Sequence, residues 1–234
     1  MVVMPTAASV ELLAALGFDW VLIDSEHGPI DIETVHHMVR ATNGTSTAPI
    51  VRVTWNLDWL AKRALDVGAM GILMPFVNSK DEAVRAVRAL KYPPEGDRGF
   101  GPLFAAPRWG MSLPEYMKAA NNQVLAMVQI EHIDAVRQID DILSVPGIDV
   151  AFIGPYDLSG SIGLLGQVGH PKVQEAIDTV LAAAKRARVP LGIFATTPEE
   201  INKRIEQGFQ VVLVGVDAMF LTAGAKSLIG QIKR

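Results

Sequence analysis

Two short runs place chemistry-bearing side chains where apolar strands give way to loops. Val21-Leu22-Ile23-Asp24-Ser25-Glu26-His27-Gly28-Pro29 ends one apolar run, and Gly154-Pro155-Tyr156-Asp157-Leu158-Ser159 follows another. Glu131 stands directly after the apolar stretch 124–130, and Arg52 lies inside Pro49-Ile50-Val51-Arg52-Val53. Neighbouring strands are about 4.8 Å apart, so carboxylates at the same end of adjacent strands can share one cation. Without a cation they repel, and one takes up a proton. Glu131 and Asp157 are therefore candidate ligands of a hard divalent ion such as Mg2+ or Mn2+, which takes oxygen donors and keeps several waters. The alternative is structural, with Glu131 paired to an arginine and Asp157 capping a turn.

A charge within a core strand is costly unless paired. Alternation puts Ile50 and Arg52 on one face. If that face lines a barrel, the guanidinium points at the mouth and can bind an oxyanion; the alternative is a buried ion pair. His27 follows Asp24 and Glu26, and a carboxylate beside a histidine can orient the ring and raise its basicity. The other histidines carry weaker signals. His36 and His37 fall inside a helix, His170 marks a helix start, and His132 faces away from its neighbour Glu131. The lysines, at 62, 80, 91, 118, 172, 185, 203, 226 and 233, fall in helices or loops and never inside a candidate strand. A Schiff-base lysine is normally desolvated in a barrel, so metal assistance is favoured over imine chemistry. Together these groups suit a site for a divalent metal and a small 2-oxo acid.

Such groups need strands that end together. Short apolar runs at 2–4, 20–23, 50–53, 71–75, 124–130, 150–153, 190–194 and 211–214 alternate with helical spacing at 7–16, 32–42, 57–66, 79–91, 133–144, 171–186, 197–207 and 217–232. Asp31, Asn78-Ser79, His170-Pro171 and Thr197-Pro198 signal helix starts. Gly17, Gly68, Gly147 and Gly208 fit helix ends. Eight strands alternating strictly with eight helices predict an α/β fold, a closed (β/α)8 TIM barrel, usually of about 250 residues. A doubly wound sheet would need a Gly-rich first turn, and Met4-Pro5-Thr6-Ala7 is not one. The loops Ala195-Thr196-Thr197 and Gly215-Val216-Asp217 also lack the Gly-rich phosphate cradle of many barrels, which argues against a phosphorylated substrate. The longest connection, 92–123, reads as a structureless loop, which is usually functional.

The 234 residues suit one domain, 1–234. Half are apolar, the formal charge is −4, and there is no cysteine. No basic cluster suggests nucleic acid. No run approaches the roughly 20 apolar residues needed to span a membrane, and no signal-peptide pattern opens the chain. The expectation is a cytoplasmic protein without disulfides or thiolate metal sites.

The runs Asp24-Ser25-Glu26-His27-Gly28-Pro29, Val51-Arg52, Tyr92-Pro93-Pro94 with Arg98-Gly99, Val128-Gln129-Ile130-Glu131 and Phe152-Ile153-Gly154-Pro155-Tyr156-Asp157-Leu158-Ser159 resemble the HpcH/HpaI aldolase family. The closest branch is the 4-hydroxy-2-oxoheptanedioate and 2-dehydro-3-deoxyglucarate aldolases. The match runs in order from about residue 8 to the C-terminus. The resemblance implies a class II pyruvate aldolase, a carbon–carbon lyase that uses Mg2+, Mn2+ or Co2+. Such an enzyme reversibly cleaves a 4-hydroxy-2-oxo acid to pyruvate and an aldehyde through a metal-stabilised enolate. It assigns Glu131 and Asp157 as metal ligands, His27 as base with Asp24 as its dyad partner, and Arg52 to the enolate oxygen. The backbone N–H groups of Tyr156 and Asp157 would receive the pyruvate carboxylate, with Gln129 and Glu26 in support. It also implies a hexamer built from dimers that exchange their last helix, about 217–232.

Two departures stand out. The helix that customarily leads into the first strand has no counterpart here, which is expected to leave the barrel floor open. The stretch Pro102-Leu103-Phe104-Ala105-Ala106-Pro107-Arg108-Trp109 lacks the Ala-Arg-Ala run of many members, which weakens recognition of a distal carboxylate. Retro-Claisen cleavage of an acyl-CoA, as in malyl-CoA or citrate lyases, would need a basic patch for the CoA phosphates. Oxaloacetate decarboxylation would use the same enolate. A non-catalytic metabolite-binding barrel is the reading from a different class.

Overall fold

β-branched runs bounded by turn residues become seven strands in this computed structural model, which describes residues 1–232. They are β1 (Trp20–Asp24), β2 (Ala48–Arg52), β3 (Gly71–Met74), β4 (Leu125–Ile130), β5 (Val150–Ile153), β6 (Leu191–Ala195) and β7 (Val211–Val214). All pair in parallel, in sequence order, as one curled sheet. Parallel pairing aligns the carboxyl ends of all seven strands on one rim. The helices are α1 (Ala7–Ala15), α2 (Ile32–Arg40), α3 (Asp58–Asp66), α4 (Lys80–Leu90), α5 (Ala105–Arg108), α6 (Leu113–Gln123), α7 (Ile133–Arg137), α8 (Ile139–Leu143), α9 (Pro155–Ser161), α10 (Pro171–Ala187), α11 (Pro198–Gln207) and α12 (Asp217–Gly230).

Strand alternation divides the core in two. Leu22, Ile50, Leu73, Met127, Val150, Phe152 and Leu213 meet on the concave face. Ile23, Val51, Ile72, Val128, Ile153 and Ile193 belong to the larger cluster formed with the helices. The N-terminal ends of the strands open into an apolar cavity of about 740 Å³ lined by Trp20, Ile50, Met127, Val150, Val211 and Phe220. Asp31, Ser79, His170 and Thr197 cap helix starts with their side chains. Gly17, Gly68, Gly147 and Gly208 take positive φ at the turns where a side chain would strain the backbone.

Three expectations need correction. Residues 2–4 do not form a strand; Val2 makes a single parallel bridge to Ile23. The segment still ties both sheet edges together. Val2 N–H donates to the Leu22 carbonyl, and Asp24 N–H donates to that of Val2. On the other side Met1 N donates to the Gly215 carbonyl, and Asp217 N–H to that of Met1. The buried Asp217 carboxylate then accepts from the N–H groups of Val3 and Met4. Backbone bonds to β1 on one side and the Asp217 carboxylate on the other replace the longer ladder a full strand would have.

The connection 92–123 is not structureless, since it holds α5 and α6. Glu115 accepts from the Ser112 N–H and hydroxyl, so α6 begins with a capping box. Among the described residues twelve helices replace the eight expected. The stretch 133–144 breaks into α7 and α8 at Gln138 (φ −104°, ψ 15°), and α9 is an addition. Lys233 lies outside the described residues.

Candidate active site

The register of β1 and β2 sets Asp24 beside Arg52 at the rim. Both are buried, and the guanidinium forks onto the carboxylate. Arg52 Nε donates to Asp24 Oδ1 at 2.8 Å and Nη2 to Oδ2 at 2.7 Å. Asp24 Oδ1 also accepts from the N–H groups of Glu26 and His27, which fixes the turn that follows β1. Burial alone would weaken the Arg52 charge, but the hydrogen bonds and charge of Asp24, with Glu26 and Glu131, raise its pKa above the ordinary value. Nη1 makes no hydrogen bond to the described residues, so one edge of the guanidinium stays uncommitted while the other is anchored.

Glu26 Oε2 lies 3.2 Å from Arg52 Nε, but that N–H points at Asp24, so this buried oxygen has no hydrogen-bond partner. Burial raises the Glu26 pKa, while Arg52 and His27 pull it down. The His27 ring is 58% exposed, and its Nε2 stands 4.0 Å from Glu26 Oε2. The carboxylate facing the ring is thus Glu26, while Asp24 faces Arg52. The resemblance makes Asp24 the dyad partner of His27, whereas here both Asp24 oxygens are held by Arg52 and Glu26 is the carboxylate nearer the ring.

Glu131 follows β4 on the concave side, continuing the alternation Met127, Gln129. Its Oε1 accepts from Phe76 N–H at 2.9 Å, and its Oε2 from the Gln129 amide. Burial pushes its pKa up to about 7; the Phe76 N–H opposes this, and the charges of Glu26 and Asp157 add to it. Ile130 and Ile153 pair across β4 and β5, which brings Gly154 against Glu131. A Cβ on Gly154 would stand 2.9 Å from both Gln129 Nε2 and Glu131 Oε2, so the glycine leaves the room these side chains occupy. Gly154 caps α9, whose first turn carries Pro155, Tyr156 and the exposed Asp157. The N–H groups of Tyr156 and Asp157 are among the first of that helix, which have no intrahelical partner.

Phe76 was not singled out by sequence reasoning. It holds φ at +51°, the left-handed region, a conformation costing about 1–3 kcal/mol in a bulky residue and concentrated at functional sites. This backbone aims its N–H at Glu131. Its ring packs against Trp55 with centroids 5.2 Å apart. A large aromatic residue directly after a strand's Pro was the available signal.

Other expected positions fall elsewhere. His132 caps α7 with its ring. His36 stacks on His37 and Phe104, away from the rim. The stretch 102–109 packs at the opposite end of the molecule, where Arg108 donates to Thr42 and Trp109 to the Gly68 carbonyl. Within one chain it does not reach the rim. Lys91 is the buried lysine among the described residues, and its Nζ is taken by the Asn121 carbonyl.

The rim therefore gathers four carboxylates, Asp24, Glu26, Glu131 and Asp157, around one guanidinium. No group of three His, Asp or Glu side chains among the described residues is arranged to hold a metal by itself. The oxygen donors still fit a hard divalent ion that keeps waters. Burial, with the charges of Glu26 and Asp157 added, disfavours the Glu131 carboxylate, and Gln129 Oε1 and Glu26 Oε2 are buried without partners.

Curled parallel topology with polar groups at the carboxyl ends of its strands places this chain among the barrel-like α/β proteins. It belongs to the HpcH/HpaI aldolase/citrate lyase family, whose sequence model matches residues 2–223. It is 38% identical to the 2-dehydro-3,6-dideoxy-6-sulfogluconate aldolase of Pseudomonas putida, over 97% of this chain and 89% of that one. It is 41% identical to the 4-hydroxy-2-oxo-heptane-1,7-dioate aldolase of Shigella flexneri, over 95% and 84%. The crystal structure of a family protein from Burkholderia cenocepacia superposes with a TM-score of 0.90 at 34% identity, covering 98% of this chain and 93% of that one.

Proposed function

We propose that this protein is a divalent-metal-dependent pyruvate aldolase, a lyase that reversibly cleaves a 4-hydroxy-2-oxo acid to pyruvate and an aldehyde. The observation that carries the reading is the rim itself. An anchored Arg52 with a free Nη1 stands among four carboxylates, of which it forks onto Asp24 alone, while burial with the charges of Glu26 and Asp157 raises the Glu131 pKa. Aldolase names among the relatives support it. Glu131 and Asp157 would hold Mg2+, Mn2+ or Co2+, with Gln129 and Glu26 supporting them. Bound there, the ion would supply Lewis acidity at the 2-oxo oxygen.

The remaining work falls to the chain's own groups. The Tyr156 and Asp157 N–H groups receive the pyruvyl carboxylate. His27, directly or through a water, takes the proton of the 4-hydroxyl. The C3–C4 bond breaks, the aldehyde leaves, and the electron pair becomes the enolate. Arg52 Nη1 stabilises the oxygen on which that charge develops. Asp24 holds Arg52 in place, and Glu26 orients His27. The enolate carbon then takes a proton to give the pyruvate methyl group.

The reading extends to the whole molecule. Residues 1–234 act as one domain, a (β/α)8 barrel in which the segment at Val2 serves as the eighth stave. The barrel works in the cytoplasm, which suits a chain without cysteines. α12 is apolar around its circumference, with Met219, Phe220, Leu221, Leu228 and Ile229 exposed; such a helix needs a partner. Its exchange between copies would build dimers, and these a homohexamer.

Proton exchange of the pyruvate methyl group in D2O, followed by NMR, tests the chemistry without an aldehyde. Exchange with Mn2+ or Mg2+, lost with EDTA and in His27→Ala, is the expected result. No exchange with any divalent metal would overturn it and favour acyl-CoA cleavage or a binding protein.

A further inference from the structure

Trp55 and Phe76 leave neighbouring strands, β2 and β3, at the rim. Trp55 lies three residues beyond Arg52, and the Phe76 N–H is bound to Glu131 at 2.9 Å. The two rings are therefore tethered to the cationic and the anionic side of the site respectively. They pack against each other at 5.2 Å in a tilted arrangement, with an interplanar angle of 32°. Trp55 is 51% exposed, although burying an indole is among the largest apolar gains open to a side chain. Leu57, next but one along the same loop, is also exposed. Phe76 stays in a left-handed backbone that its side chain disfavours. An aromatic surface left wet beside a polar reaction centre, on a strained backbone, is what an apolar substrate group would cover.

We propose that the Trp55–Phe76 pair is the wall of the aldehyde subsite and selects acceptors with an apolar substituent over small polar ones. The inference rests on the pyruvate aldolase reading and names the substrate class for it. The pair touches the aldehyde's substituent, while the reacting carbons stay with Arg52, His27 and the oxygen donors. Removing the indole should therefore raise KM for an apolar aldehyde and leave enolate formation alone.

The test compares wild-type protein, Trp55→Ala and Trp55→Phe, each with Mn2+, in aldol addition of pyruvate to hexanal and to glycolaldehyde. Methyl exchange of pyruvate in D2O is measured alongside. Wild type should prefer hexanal. Trp55→Ala should lose about tenfold or more in kcat/KM for hexanal, mainly through KM, and change little for glycolaldehyde. Trp55→Phe should recover much of the loss, and exchange should be the same in all three. Equal losses for both aldehydes, no loss for either, or a change in oligomer size with Trp55→Ala would overturn the subsite while leaving the aldolase reading intact. Absence of exchange in the wild type would bring down that reading, and the subsite with it.

Discussion

Arg52 joins a structural ion pair to the role proposed for it in the reaction. Nε and Nη2 belong to Asp24, and only Nη1 is left for a ligand. Arg52→Ala strips the partner from a fully buried Asp24 carboxylate, so it should cost about 3–5 kcal/mol in chemical denaturation. In the proposed mechanism the Arg52 charge acts on an oxygen that becomes anionic only as the bond breaks, so kcat should fall about 100-fold or more with a small change in KM. An Arg52→Ala enzyme with normal kcat would remove it from the mechanism. Glu131 makes a second prediction, about pH. Its folded pKa, about 7, lies above the ordinary 4.5, so the folded state holds a proton that the unfolded state releases. Without metal, stability is therefore fully present below about pH 4.5 and falls as pH rises toward 7, by roughly 3 kcal/mol at most. Denaturation of metal-free protein at pH 5 and pH 8 measures this. Glu131→Gln should flatten the profile and remove any stabilisation by Mn2+.

At the scale of elements, the β5–α9 junction decides whether the rim works. Gly154 passes against Glu131 because β4 and β5 are paired one residue earlier, at Ile130 and Ile153. Gly154→Ala would drive a methyl group into Gln129 and Glu131. The expected outcome is a folded protein whose Mn2+ affinity, measured by calorimetry, falls at least tenfold. Unchanged affinity would mean that Glu131 is not a ligand. α6 depends on its capping box. Ser112→Ala should lower stability by about 1 kcal/mol without touching methyl exchange, since α6 lies away from the rim.

For the whole molecule, the proposed assembly turns on α12. Its exposed apolar side chains leave only Asp217 buried, and that carboxylate accepts from the N-terminal segment at Val3 and Met4 as well as from the Ala218 N–H of the helix. A paired substitution, Leu221→Glu with Leu228→Glu, should reduce the particle mass in analytical ultracentrifugation while the circular dichroism spectrum is kept. A wild type that sediments as a monomer would contradict the exchanged-helix assembly. The apolar cavity at the N-terminal ends of the strands lies opposite the rim, so the two faces can be altered independently.

Sequence alone determined the parallel strand-and-helix alternation, because β-branched runs, caps and glycine stops are local signals. It also placed Asp24, Arg52 and Glu131 at strand ends, since each adjoins or lies within an apolar run, and Asp157 in the connection just after one. The Ser112–Glu115 box went unread, because the proline- and glycine-rich surroundings masked α6. Tertiary structure decided the rest. Register, which no single strand encodes, gave Asp24 to Arg52 and left Glu26 facing His27. Closure of the sheet edges depended on Asp217 meeting a segment 213 and 214 residues away. The strained Phe76 backbone reflects a hydrogen bond to a carboxylate 55 residues further on. Each is a long-range pairing whose energy exists only once the chain has folded, so composition and spacing carry no trace of it.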